Sequence, residues 1–244
     1  MMETEKHHNS NLIKRFPVFA FFILAWALGA STIILVVQGM IPSNLVLVSV
    51  LSASIAGIIM TAVEDGKAGL KLMVSRLLIW RVAIGYWFFA IIFIVPVIIL
   101  GSLFNPLFNG EPISFNEFKP AFGILPMYMV FFIVAGLGQE LGWTGFLIPR
   151  LQARFNALVS SVMRAVLVAI WHLPLFIYSK FQPTAVIDLP YSRWIAQVGL
   201  LVAILINTML FLIPWSIFST WIFNNTKGSI LLVAVLHGSE IWVV

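Results

Sequence analysis

The 244 residues contain no cysteine, and only 9% of them are Asp, Glu, Lys or Arg. The first absence excludes a disulfide framework and any thiolate metal site. The second excludes an ordinary soluble domain, in which about a quarter of residues are charged. The alternating ten-residue pattern of a transmembrane barrel strand is also missing, so sheets are not expected. No cleavable signal is evident: the apolar run after the polar tail, 1–16, is about twenty residues long, longer than a signal core. What fills the chain is 61% hydrophobic residues, with a mean hydropathy of +1.05. That composition is one of a polytopic membrane protein.

The expected fold class is all-α, a polytopic bundle of about seven transmembrane helices over 17–244. They fall near 17–38, 44–63, 83–104, 121–141, 157–179, 194–216 and 229–243, each close to the ~20 residues that a hydrocarbon core requires. Fourteen basic residues orient the bundle. With the N-terminus cytoplasmic, eleven lie inside, Arg150, Arg154, Arg164 and Lys227 among them, and Lys119, Lys180 and Arg193 lie outside. This split satisfies the positive-inside rule. It also accounts for the formal +5 charge without a nucleic-acid partner; the partner expected from composition is membrane lipid.

Between the second and third helices, Leu70, Met73, Val74 and Leu77 recur at helical spacing. An amphipathic helix near 66–81 on the cytoplasmic leaflet is expected, held by anionic lipid and by Trp80; the bland alternative is a basic loop. Residues 105–120 and 180–193 read as external loops. Asn224-Asn225-Thr226 matches a glycosylation sequon, but its expected cytoplasmic side argues against use.

Three ionisable residues stand out because their surroundings are apolar. Glu140 ends an uncharged run that begins at Tyr128. His172 lies in Ala169-Ile170-Trp171-His172-Leu173-Pro174, and His237 in Val235-Leu236-His237-Gly238. An intramembrane ion is costly and is by default a functional-site candidate. From the ~1.5 Å rise per residue, Glu140 and His237 lie roughly 15 and 14 Å from the cytoplasmic boundary, and His172 roughly 24 Å along its helix. One Glu and two His could build either a metal or an acid–base site. A lone His is more often an interhelical hydrogen-bonder, and Glu140 could be a carboxylate paired for packing alone; as a set, the three favour a site. Trp143 and Trp171 read as packing residues, and His7 and His8 as solvated.

Four stretches carry a family resemblance. Gln139–Gln152, with Gly-Phe-Leu-x-Pro-Arg-Leu-Gln at its end, resembles a Glu-Glu-x-x-x-Arg segment. Trp171-His172-Leu173-Pro174-Leu175-Phe176 resembles a Phe-x-x-x-His motif, and Ser229–His237 the approach to His-x-x-x-Asn. Glu64–Tyr86 resembles the connection between helices 2 and 3. In this order they resemble the CPBP intramembrane metalloprotease family, the CAAX-processing and bacteriocin-processing group, and its bacterial members especially. The resemblance implies a multi-pass protein of the bacterial plasma membrane that cleaves hydrophobic or membrane-bound peptides. It implies Glu140, His172 and His237 as catalytic residues and as ligands of a divalent metal, with zinc expected. In that family the first Glu of the pair is taken to activate water, and the His residues to hold the metal or polarise the carbonyl.

The chain departs from the pattern. Gln139 replaces the first Glu, Thr144 the Arg, Val168 the aromatic residue and Ile241 the Asn. Three functions stay open on this sequence: an endopeptidase in which Glu140 serves as base, a catalytically impaired peptide-binding, immunity or scaffold protein, and a small proton-coupled carrier. No duplicated half supports the carrier.

Overall fold

In the computed structural model, residues 15–92, 132–181 and 199–241 are described, and every regular element among them is helical. Helix α1 is Pro17–Val37. A 3-10 segment, Ser43–Leu51, leads directly into α2, Ser52–Glu64. Then follow α3, Gly66–Leu77, and α4, Ile84–Ile92. Helix α5 runs over 132–152 and α6 over Ala157–Phe181. Helix α7 is Leu200–Asn225 and α8 is Ile230–Ile241.

Four of these stretches are long and apolar enough to cross a membrane: Pro17–Val37, Ser43–Glu64, Ala157–Tyr178 and Leu200–Asn225. The third and fourth predicted helices lie partly, and the two external loops almost wholly, outside the described residues. Two boundaries differ from the sequence reading. The sixth predicted helix, expected to stop at 216, continues to Asn225, because Pro214 sits in the first turn after a π-helical stretch and interrupts nothing. The fourth, expected to end at 141, stays helical to Gln152.

Helix ends follow local chemistry. Pro17 stands at the first turn of α1, where its missing N–H costs nothing. At the other end Gly39 adopts φ +69°, and the amides of Gly39 and Met40 close back onto the carbonyls of Val36 and Leu35. A left-handed residue is what this closure needs, and glycine takes it without strain.

Helix contacts are made by small residues, as expected where lipid tails supply no hydrophobic drive between helices. A Cβ on Gly57 of α2 would lie 2.6 Å from the Gly142 Cα of α5, and one on Gly142 would strike the Ala53 carbonyl. On α8, a Cβ on Gly238 would meet the Phe132 backbone of α5 at 2.8 Å. Helix α5 is thus wedged between α2 and α8 at backbone contact. A second device operates in α6, where Pro174 cannot donate to the carbonyl of Ile170. That carbonyl instead accepts from Trp26 Nε1 of α1 at 3.3 Å, so the break in one helix becomes a link to another.

Candidate functional site

Helix α5 is irregular where the site is built. It is π-helical over Phe132–Leu137 and Leu141–Leu147, with Gly138–Glu140 α-helical between them. Wide π turns loosen the backbone ladder and recur at functional sites. The Leu137 carbonyl accepts from Ser54 Oγ of α2 at 2.8 Å, which fixes the wide turn against its neighbour.

Glu140 projects from this stretch with no solvent exposure. Arg164 of α6 donates Nη2 to both carboxylate oxygens, at 2.9 and 3.0 Å, and is itself 1% exposed. His237 of α8 brings Nδ1 to Oε1 at 2.8 Å, and the Thr144 hydroxyl donates to Oε2. A carboxylate facing a guanidinium can only accept, so the His237 proton sits on Nδ1. Arg164 Nη1 donates to Ser219 Oγ at 2.6 Å, and that hydroxyl passes its own proton to the Ser216 carbonyl. The guanidinium lies 4.7 Å from the centre of the Trp215 ring, and Trp215 meets the His237 ring edge-on at 4.9 Å. Pro214 and the preceding π turn, Thr208–Leu212, set Trp215 and Ser219 on the inner side of α7.

His172 is partly buried on α6. Its Nδ1 is 2.9 Å from the Val168 carbonyl, which makes Nδ1 the donor and leaves Nε2 with its lone pair. Gln139 is 5% exposed and makes no side-chain hydrogen bond among the described residues. Trp143 and Trp171 are buried, their ring centroids 5.8 Å apart. The backbone of Ile241 belongs to α8, but its side chain lies outside the described residues.

Of the expected residues, Glu140, Thr144 and His237 touch, whereas His172 is held on α6 by the Val168 carbonyl. Arg164 was missed. The charge pattern reads it as one of the basic residues that flank cytoplasmic helix ends, yet it is buried and bonded to Glu140. The available signal was its place seven residues inside the apolar Ala157–Phe181 helix, where an isolated charge needs a partner.

Donor chemistry bears on a metal. Among the described residues no group of three or more His, Asp or Glu could hold an ion. Two tetrahedral ligands at ~2.1 Å from one ion lie about 3.4 Å apart with both lone pairs inward. Glu140 Oε1 and His237 Nδ1, at 2.8 Å with a proton between them, are therefore not both ligands. Each Nδ1–H is instead held from behind, by a carboxylate for His237 and a carbonyl for His172, the outer-shell pattern of an imidazole that keeps Nε2 as its donor atom.

The fold and site define a membrane-embedded helix bundle with a buried carboxylate–imidazole centre. Residues 121–240 match the family model of Type II CAAX prenyl endopeptidase Rce1-like proteins. Over 147 residues the chain is 24% identical to CAAX prenyl protease 2 of Methanococcus maripaludis, an alignment that covers 59% of this chain and 50% of that protein. The chain thus spans about half the length of the curated relative it matches. Over these residues the chain is similar to the CPBP/CAAX protease family.

Proposed function

We propose that this chain is an intramembrane endopeptidase of reduced catalytic power, acting on hydrophobic or prenylated peptides at the centre shared by α5, α6 and α8. The observation that supports this reading is the environment of Glu140. Its two oxygens accept from Arg164, Thr144 and His237, so it has no free lone pair for a water proton. Glu140 then orients His237 and does not act as the base. The neighbouring Gln139 is an amide, able to position water but not to deprotonate it.

His172 and His237 are the residues that would hold a divalent metal, zinc by donor type, each through Nε2. Such an ion would supply Lewis-acid activation of water or carbonyl. Nδ1–H of His237 on Glu140 and Nδ1–H of His172 on Val168 fix both rings and both tautomers. Burial of the carboxylate, the guanidinium and Trp215 keeps bulk water from these hydrogen bonds and so strengthens them. The name of the archaeal relative motivates the prenylated substrate class.

A second reading has the same observation behind it: with both carboxylate positions unavailable as base, the chain binds hydrophobic peptides without cleaving them, as an immunity or scaffold protein. One experiment separates the two. A membrane peptide with a prenylated cysteine near its C-terminus is offered to the wild type, Gln139→Glu and Glu140→Gln. General-base catalysis contributes about 10²–10⁴-fold, and Gln139→Glu is expected to raise cleavage by about that factor. Strong wild-type cleavage, lost in Glu140→Gln and unimproved in Gln139→Glu, would overturn the weakened-protease reading. Peptide binding with no cleavage by any variant would favour the second.

A further inference from the structure

Arg164 touches both groups that hold the His237 ring. One is Glu140, whose Oε1 takes the Nδ1 proton; the other is Trp215, whose ring lies against the imidazole. Ser219 fixes the remaining arm of the guanidinium. One side chain from α6 therefore joins α5 and α7 directly and α8 through a single hydrogen bond. The planar fork of an arginine suits this place. It reaches two carboxylate oxygens and a hydroxyl while lying near an aromatic ring, a set of contacts that a lysine ammonium cannot reproduce.

Position 144 supplies the other half of the reasoning. It lies four residues after Glu140 on α5, and the Thr144 hydroxyl already reaches Glu140 Oε2. A cation placed there would meet the same carboxylate from the same helix, at the i, i+4 spacing of a helical ion pair. In this chain the position is neutral and the charge arrives from α6.

We infer that Arg164 is the positioning residue of this site, a cation on α6 that orients His237 through Glu140 and Trp215. Arg164 touches no substrate in this role. It rests on the proposed function for where the site is, and not for whether the site hydrolyses anything. Without the guanidinium, Glu140 is a buried carboxylate with only Thr144 and His237 bonded to it among the described residues. With nothing spanning its two oxygens, the carboxylate is free to turn, and the bond that fixes the imidazole is lost.

The test is spectroscopic. Protein labelled with ¹⁵N-histidine in nanodiscs has four histidines to resolve, and His237→Asn assigns the strongly deshielded Nδ1 proton shared with the carboxylate. Arg164→Gln is expected to lose that signal, and Arg164→Lys to weaken it. Thr144→Arg in the Arg164→Gln background is expected to restore it. An unchanged signal in folded Arg164→Gln, or full retention in Arg164→Met, would reduce Arg164 to a space filler and overturn the inference. Should Arg164→Gln fail to fold, the double variant carries the test: folded with the signal it supports the positioning role of a cation on Glu140, and unfolded or without the signal it refutes it. A wild type that shows the signal but cleaves no peptide would sink the protease reading and leave this one standing.

Discussion

A carboxylate and a guanidinium that are both removed from solvent depend on each other more than on anything around them. Glu140 and Arg164 are such a pair, at 0% and 1% exposure. Removing one partner of a buried ion pair costs about 3–5 kcal/mol, because an uncompensated charge stays behind, whereas replacing both with apolar groups is often close to neutral. Arg164→Leu is therefore expected to lower unfolding stability in detergent by about that amount, and Glu140→Leu combined with Arg164→Leu to recover most of it. Equal losses in the single and double variants would show that the pair is not coupled. Legibility at this scale was uneven. Glu140 and His237 announced themselves because a polar residue in an uncharged run has few explanations. Arg164 did not, because a basic residue near the start of a membrane helix is what topology alone would place there.

Elements meet here through the absence of side chains. Gly57 and Gly142 bring α2 and α5 to backbone contact, and Gly142 also faces the Ala53 carbonyl. Glu140 is two residues from that contact, so the position of the carboxylate depends on it. Gly142→Ala is expected to cost about 1–3 kcal/mol through overpacking and to lower peptide cleavage or binding along with stability. Gly85→Ala, where an added Cβ meets nothing within 4 Å, is expected to be tolerated. Thermal unfolding of both variants beside the wild type checks this, and equal behaviour of the two would contradict it. The π-helical turns of α5 depend on a partner, Ser54 on α2, for the Leu137 carbonyl. A partner 83 residues away leaves no local mark on the sequence.

For the whole molecule, the open question is which way the bundle faces. Taking Arg164 out of the flanking charges leaves ten basic residues on the expected cytoplasmic side against three outside, so the N-in expectation does not rest on it. The chain has no cysteine, so single cysteines at Ser10 and Ser114 report cleanly to an impermeant thiol reagent. Ser114→Cys is expected to label in intact cells and Ser10→Cys only after permeabilisation; the reverse pattern would invert the topology. The end expected to be cytoplasmic also has a built contact. Arg150, at the end of α5, pairs with Glu64 and Asp65 at the end of α2, each at 2.6 Å, and lies 3.7 Å from the Phe146 ring centre. This joins at their tips the same two helices that the glycines join at depth.

What the chain determined by itself follows from solvent. A sequence with 9% charge and long apolar runs can satisfy its backbone in lipid only as helices, and ions left inside those runs must find one another. Helix class and the approximate spans of the described helices were legible for that reason, and so was the pairing of Glu140 with His237. Tertiary structure decided which ion meets which. Whether Glu140 is a base, a metal ligand or an anchor depends on what occupies its lone pairs, and the occupants come from α5, α6 and α8. No periodicity encodes that, because hydrogen-bond saturation belongs to groups brought together in space and not to any residue along the chain.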